Sequence, residues 1–447
     1  MDPLDLIIKQ LSRFDELETA RTLLTTFKKY SSSIEQYDQL GRLFHDVKDW
    51  PSAIECAEHT LALAPTTQAL CSARANLAKL NNHANNPSTA LQYLNANLLV
   101  DPNNYEYKME RLFSNYLLGN FDESRAEVEQ LLNDPDAPEQ IKNRCQFNYG
   151  SYQLDDNQFK KGLIDFIDVG HRIGIWPRVQ FPGPAWDGSV IPGQTIAILA
   201  EGGIGDEVIN VRFMKNITEL GMNPIFVTNR NDTMTLFNRM GFTTVRSINV
   251  VPSDAQWVLS MYLPILLNLE ADQLWTGPYL TPSPEYVEKW KKLFNKFPFS
   301  TTLGNKKRVA LKWSGNPYYE QDLHRSLPLN ELGELIIDTY PDVAYVSVQK
   351  EHNDDQDITD YCIDIDAAPY LDTLEDLLAC LSLMDYTISS CTSVAHIAAA
   401  AGLPVTVCPP IATYYTWLGD TKWYGDNCTI LRQRKWKDWS HLRNIKL

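Results

Sequence analysis

Apolar positions recur at helical spacing along the first third of the chain and gather into short runs along the rest. Between Ser31 and Thr67, the residues Tyr37, Leu40, Gly41, Phe44, Ala53, Ala57 and Pro65 fit a helix, a turn over residues 49–51, a second helix and a proline stop. Gly41, Ala53 and Ala57 are small enough for two helices to approach closely while the larger side chains fill the space between them. From Trp186 onward, β-branched or apolar runs alternate with helical stretches, which predicts parallel α/β layers. One set of runs covers residues 195–200, 224–228 and 257–260; a second covers 309–313, 344–348, 386–389 and 405–408. A polar helical stretch over 283–307 separates the sets, and two such halves facing each other make a cleft.

Prolines recur after Pro65 at Pro102 and Pro135, at intervals of 37 and 33 residues. These bracket the period of about 34 residues that marks tetratricopeptide repeats. The longer interval places its extra residues in a loop over 81–87, and a degenerate last unit runs through Tyr149, Gly150, Leu154, Phe159 and Gly162. The expected fold class is therefore α/β with an N-terminal all-α repeat domain. A TPR-like solenoid occupies residues 1–170, a first Rossmann-like domain 171–300 and a second 301–447. Stacked helix pairs expose a concave groove of the kind that holds a peptide or another subunit.

A chain of 447 residues exceeds one compact core, and 44% hydrophobic with 21% charged residues is ordinary globular usage. The net charge of -16 is spread along the sequence, which disfavours nucleic acid or an anionic membrane as the main partner. Residues 1–10 include Asp2 and Asp5 and lack the layout of a secretory signal, so a cytoplasmic location is expected. The weakly polar stretch 395–413 contains His396, Pro404, Pro409 and Pro410 and reads as buried helix, turn and strand rather than a membrane span. The eight cysteines form no CxxC pair and are expected as reduced packing residues.

Three turns carry candidate chemistry. Glu201-Gly202-Gly203-Ile204-Gly205-Asp206-Glu207 follows a predicted strand and opens a helix, so Gly203 and Gly205 let a ligand approach the backbone at a helix N-terminus. Alternatively the glycines only shape the turn and Asp206 only caps the helix. Trp313-Ser314-Gly315-Asn316-Pro317 ends another strand, where open α/β sheets bind ligands, and Arg325 in the following Asp322–Pro328 stretch suits a diphosphate. The competing reading of Arg325 is a surface salt bridge. In the run from Ser389 to His396, Thr392 and Ser393 offer hydroxyls and free N–H groups to phosphate, or simply cap the helix. His396 fits either a ligand contact or a packed, hydrogen-bonded role. Asp364-Ile365-Asp366 has the form of a metal-binding DxD but lacks a second ligand cluster, and no HExxH, P-loop or GxSxG occurs.

Taken in order, Pro184–Gly188, GQTIAILA, EGGIGDE, VALKWSGNP, HRSLP, YVSVQK, SSCTSVAHIAAAAGLP and KWYGDN resemble the tetratricopeptide-linked glycosyltransferases related to the heptosyltransferase (family 9) group. The resemblance spans roughly residues 150 to 435, and the repeats also resemble those preceding protein O-GlcNAc transferases. It implies a two-Rossmann GT-B fold, a nucleotide-sugar donor as co-substrate, no cofactor, and inversion at the anomeric carbon without a metal. It further implies that Asp206 is the general base, that Arg325 touches donor phosphate, and that Thr392, Ser393 and His396 form the phosphate-binding turn. Ser314 and Asn316 would line the donor pocket. The residue before Thr392, often aspartate in such proteins, is Cys391 here, which leaves any donor contact of that acid unassigned. The expected acceptor is a hydroxyl on a protein or glycan held by the repeat groove. The alternatives are a non-catalytic scaffold that recruits a partner, or transfer to a modified nucleic-acid base.

Overall fold

The computed structural model describes residues 17–175, 181, 183–296, 306–317, 319, 321–350 and 363–447. Residues 1–10, Cys362 and residues 297–305 of the 283–307 stretch lie outside the described residues. Two compact units emerge: Met1–Cys145 with Pro317–His324, and Gln146–Asn316 with Arg325–Leu447.

Within the first unit the helices α1 (Leu17–Lys28), α2 (Ile34–Asp46), α3 (Trp50–Ala62), α4 (Thr67–His83), α5 (Pro87–Val100), α6 (Tyr105–Leu118) and α7 (Phe121–Asn133) follow one another, and α8 (Glu139–Asp155) begins there. Local sequence explains their starts. Ser33 and Gln36 form a reciprocal capping box on α2, Asp49 accepts from the Ser52 N–H at 3.2 Å with Pro51 in the first turn of α3, and Thr66 caps α4. Phe44 and Leu77 are fully buried between these helices, and Trp50 stacks on His83 at 5.1 Å. The 317–324 segment also belongs here: Asn85 Nδ2 donates to the Leu323 carbonyl at 3.3 Å. His324 is buried beside the Asn82 backbone and His83, and burial pulls its imidazole down to about 4.

Helical structure runs on to Arg172 through Phe159–Leu163, a π-helical turn Ile164–Asp168 and Val169–Arg172. From Gln146, however, these segments belong to the second unit. Leu154, Phe159, Leu163 and Ile167 pack into the α/β core, so residue 170 marks where helices give way to strands, while the compact units divide near residue 145.

The second unit holds two parallel sheets. The first has strands β1 (Thr195–Leu199), β2 (Asn223–Val227), β3 (Thr244–Val245) and β4 (Gln256–Leu259) in the order β3-β2-β1-β4. The second has β5 (Arg308–Lys312), β6 (Ala344–Ser347), β7 (Ile365–Asp366), β8 (Tyr386–Ser390), β9 (Val405–Cys408) and β10 (Cys428–Ile430) in the order β10-β9-β8-β5-β6-β7. Alternation along β5 shows why its three central residues are all apolar: Ala310 enters the core shared with the first sheet, while Val309 and Leu311 pack with Tyr345 and the C-terminal Trp439 and Leu442. Strand order reverses between β1 and β4 and again between β5 and β8, and ligands of open α/β sheets bind outside the carboxyl ends at such reversals. Helix α9 (Ile204–Val211) follows β1, and α10 (Ser393–Ala400) follows β8.

Among the described residues no helix is long and apolar enough to cross a membrane. Because Leu77 is fully buried in the repeat core, Leu77→Ala is expected to cost about 2–5 kcal/mol in the unfolding of the helical repeats. Denaturation of the full chain followed by circular dichroism checks this; an unchanged helical transition contradicts the packing described.

Candidate active site at two strand-order reversals

The turn after β1 is braced from several sides. The Gly203 N–H donates to Asp206 Oδ2 at 2.7 Å, the half of a capping box that remains when the cap residue has no side chain. Glu207 is fully buried, accepts from Thr228 Oγ1 at 2.9 and 3.0 Å, and pairs with Arg230. Arg230 in turn donates to the Gly202 carbonyl at 3.0 Å. Asp206 is half-buried as a residue. Burial pushes its carboxyl up to about 6; the Gly203 N–H and the Tyr414 hydroxyl oppose that rise, and Glu201 adds to it. Asp206 does cap its helix, and its carboxyl is also the perturbed acid of the turn.

The N-terminal turns of α9 and α10 meet with almost no space between them. A Cβ on Gly205 would stand 2.7 Å from His396 Cδ2, so only glycine fits beneath the imidazole. His396 Nδ1 lies 2.8 Å from the Tyr424 hydroxyl, and its ring packs on Trp417 at 4.6 Å. Burial and the nearby Arg212 pull its imidazole down to about 3, so it stays neutral. Arg212 is itself fully buried, donating to the Ile209 and Trp275 carbonyls and the Tyr279 hydroxyl and lying 4.6 Å from the Tyr424 ring centre.

The turn after β5 is fixed by Gln349, which is fully buried. Its Oε1 accepts from the Trp313 and Ser314 N–H groups at 3.2 and 2.9 Å, and its Nε2 donates to Ser314 Oγ at 2.6 Å. Arg325 lies over Gly315, where a Cβ would stand 2.1 Å from Nη2. Its guanidinium reaches the Cys391 carbonyl at 3.4 Å and the Asn316 carbonyl at 3.5 Å, contacts long enough to be weak. Burial pushes the Cys391 thiol up while Arg325 pulls against it. Thr392 occupies the N-cap of α10 without bonding a helix N–H through its side chain; its Oγ1 lies 3.1 Å from Ser389 Oγ. Ser393 opens the helix half-buried.

The structure thus gathers Gly203, Gly205, Asp206, Ser314, Asn316, Arg325, Thr392, Ser393 and His396 within one compact unit. Gly205 meets His396, Arg325 meets Gly315, Asn316 and Cys391, and Cys391 is electrostatically coupled to Asp206. Sequence reading singled out neither Gln349 nor Tyr414, Arg212 or the buried Glu201–His171 pair, in which Glu201 Oε1 is 3.0 Å from His171 Nε2. Only YVSVQK, within the recognised motifs, pointed at Gln349. Asp364 and Asp366 accept from the Tyr345 and Ala368 N–H groups at 2.8 and 3.2 Å and so serve the β6–β7 edge. A cavity of about 740 Å³ within the segment 416–441 borders Trp417 and Tyr424 and includes none of the predicted site residues.

Fold and site together define a protein with helical repeats followed by two parallel α/β sheets whose strand-order reversals carry the candidate groups. No family model matches the chain. In sequence it is similar to Protein FlbA of Caulobacter vibrioides, 22% identical over 345 residues that cover 71% of this chain and 56% of the relative. The chain therefore spans about half the length of the curated relative it matches. In structure it is similar to a glycosyl transferase family 9 protein of Veillonella parvula, with TM-score 0.37 and 10% identity over 54% of this chain and 88% of the other. It is similar to an O-GlcNAc transferase mutant of Thermobaculum terrenum, with TM-score 0.34 and 12% identity over 92% and 88% of the two chains. It is also similar to an E. coli heptosyltransferase with ADP, with TM-score 0.36 and 11% identity over 56% and 97%.

The contact at Gly205 gives a direct test. Gly205→Ala is expected to cost about 1–3 kcal/mol through overpacking against His396. Gly203→Ala is expected to cost less, since the nearest atom to a Cβ there is 3.6 Å away. Equal shifts in thermal unfolding of the two variants contradict the close approach.

Proposed function

We propose that the chain is an inverting glycosyltransferase that moves a sugar from a nucleotide-sugar donor to an acceptor hydroxyl, with Asp206 as general base and no metal in the transfer step. One observation carries this reading: a carboxyl raised to about 6 on the turn after β1 lies beside the turn after β8, where Arg325 and the N-terminus of α10 converge. A carboxylate of that basicity is still ionised at neutral pH and takes a proton more readily than an ordinary one.

The acceptor oxygen would attack the anomeric carbon from the Asp206 side as its proton passes to the carboxylate. The bond from that carbon to the diphosphate oxygen breaks, and the electron pair leaves with the nucleoside diphosphate. Arg325, Thr392, Ser393 and the free N–H groups of α10 are suited to meet the developing charge, because fixed donors need no reorganisation during the reaction. Ser314, held by Gln349, and Asn316 would line the donor side, and His396 would keep the two turns in register. The helical repeats, on this reading, present a protein or glycan acceptor.

Replacing Asp206 by Asn should leave donor affinity within a few-fold while transfer falls by roughly 100- to 10,000-fold. The donor for this test comes from a thermal-shift panel of nucleotide sugars. Transfer at the original rate by the variant defeats the assignment. In the wild type, kcat is expected to fall as pH drops through about 6, because protonation removes the base; a rate flat from pH 5 to 8 contradicts it. Arg325→Ala should weaken nucleoside diphosphate binding about tenfold or more by calorimetry, and unchanged affinity rejects the phosphate role.

A further inference from the structure

Strand register places a buried amide beside the turn after β5. Leu311 pairs with Ser347, and the Val348 N–H donates to the Leu311 carbonyl at 3.0 Å, so the same register carried onward sets Gln349 opposite Trp313. Gln349 has no exposed surface, and its own N–H donates to Ser347 Oγ at 3.3 Å. Its carboxamide fits only one way round. Oε1 accepts from two backbone N–H groups, those of Trp313 and Ser314, at 3.2 and 2.9 Å, and an NH2 group turned there would face two donors. Nε2 must therefore face Ser314 Oγ, 2.6 Å away.

That contact decides what Ser314 can offer. An amide NH2 only donates, so the hydroxyl oxygen accepts and its proton points away from Gln349. Among the described residues no group accepts that proton, and Ser314 is half-buried, with part of its surface open. On the next residue, Gly315, the Arg325 guanidinium fills the space that a Cβ would need. A guanidinium also only donates. Two such donors on successive residues suit an oxygen that accepts and has no proton of its own, as the oxygens of a diphosphate do.

We propose that Gln349 is a positioning residue for Ser314: its amide turns the hydroxyl outward as a hydrogen-bond donor, so that the turn after β5 and Arg325 receive the diphosphate of the donor rather than a sugar hydroxyl. The proposal rests on the reading of the site as one for a nucleotide sugar. Its test uses inorganic pyrophosphate, so that the two can fail separately. Gln349 acts on the ligand only through Ser314, and its effect is therefore a coupling between the two positions.

Pyrophosphate affinity is read by 31P NMR titration of the full chain as wild type, Ser314→Ala, Gln349→Glu and the double variant. The titrations are run at about pH 9.5, above the range to which burial raises a carboxyl. Ser314→Ala is expected to weaken binding about tenfold, the loss of one hydrogen bond to a charged oxygen. In Gln349→Glu one carboxylate oxygen keeps both backbone N–H groups while the other accepts the Ser314 proton and turns it inward. The added charge weakens binding by itself, but adding Ser314→Ala should then cost less than about twofold more. A tenfold cost in both backgrounds overturns the proposal, as does a wild type that binds no pyrophosphate. Where Gln349→Glu does not fold or binds too weakly to titrate, Gln349→Met replaces it. That variant frees the hydroxyl to rotate, so the cost of Ser314→Ala should shrink to about threefold or less, and an undiminished cost overturns the proposal. Coupling seen with pyrophosphate in a protein that no nucleotide sugar stabilises defeats the nucleotide-sugar reading and upholds the role of Gln349.

Discussion

The site depends on the approach of two helix N-termini at Gly205 and His396. With only a hydrogen atom on the α9 side, the imidazole settles against the backbone, and the turn bearing Asp206 is brought beside the turn bearing Cys391 and Thr392. Any larger side chain at residue 205 would push these turns apart, because packed interiors do not yield continuously. The registration of a carboxylate from one sheet with a cationic, donor-rich turn from the other is thus set by the smallest residue available.

What holds the imidazole there is electrostatic as well as steric. Arg212 is a fully buried cation, and a second charge on His396 beside it would go uncompensated, so the histidine remains neutral. A neutral ring can accept or donate at Nδ1 toward Tyr424, whose own ring lies against the Arg212 guanidinium. The chain of contacts Arg212–Tyr424–His396–Gly205 therefore links the interior of the second unit to the turn that presents Asp206. The carbonyls of Ile209 and Trp275 and the hydroxyl of Tyr279 satisfy the guanidinium, which makes this buried charge tolerable.

Much of this was legible in the sequence, and the limits have physical causes. The runs that became β1, β2, β4, β5, β6, β8 and β9 are long and apolar enough to declare themselves, and each was placed to within a residue or so of its observed ends. The strands β3, β7 and β10 have only two or three residues and sit toward sheet edges, where neither periodicity nor composition separates them from loop. Asp206 and Thr392 stood out as candidates because they follow strands in glycine- or hydroxyl-rich turns, and Arg325 because a guanidinium close after such a turn suits a diphosphate. Tyr414 and Glu201 were not readable as partners of Asp206, since nothing local to Pro409–Tyr414 announces which turn that loop will reach. The 317–324 segment is a similar case: it continues from a strand of the α/β region, yet His324 is buried against the repeats through a contact that sequence spacing does not encode.

The raised basicity of Asp206 has a cost in folding that explains why its neighbourhood is so heavily braced. A carboxyl whose folded value lies near 6, above its unfolded value, binds its proton more tightly when folded. Its contribution to stability is therefore present below the unfolded value and is lost as pH rises toward 6. At neutral pH the fold holds an ionised group where burial disfavours it, as active sites commonly do. The Gly203 N–H and the Tyr414 hydroxyl recover part of that loss, whereas Glu201 increases it. Glu201 can remain there because the Met261 N–H and His171 restrain it, and the turn can remain there because Glu207, Thr228 and Arg230 pin it from behind. The bracing around this one turn is what lets the fold hold an ionised carboxylate there at neutral pH.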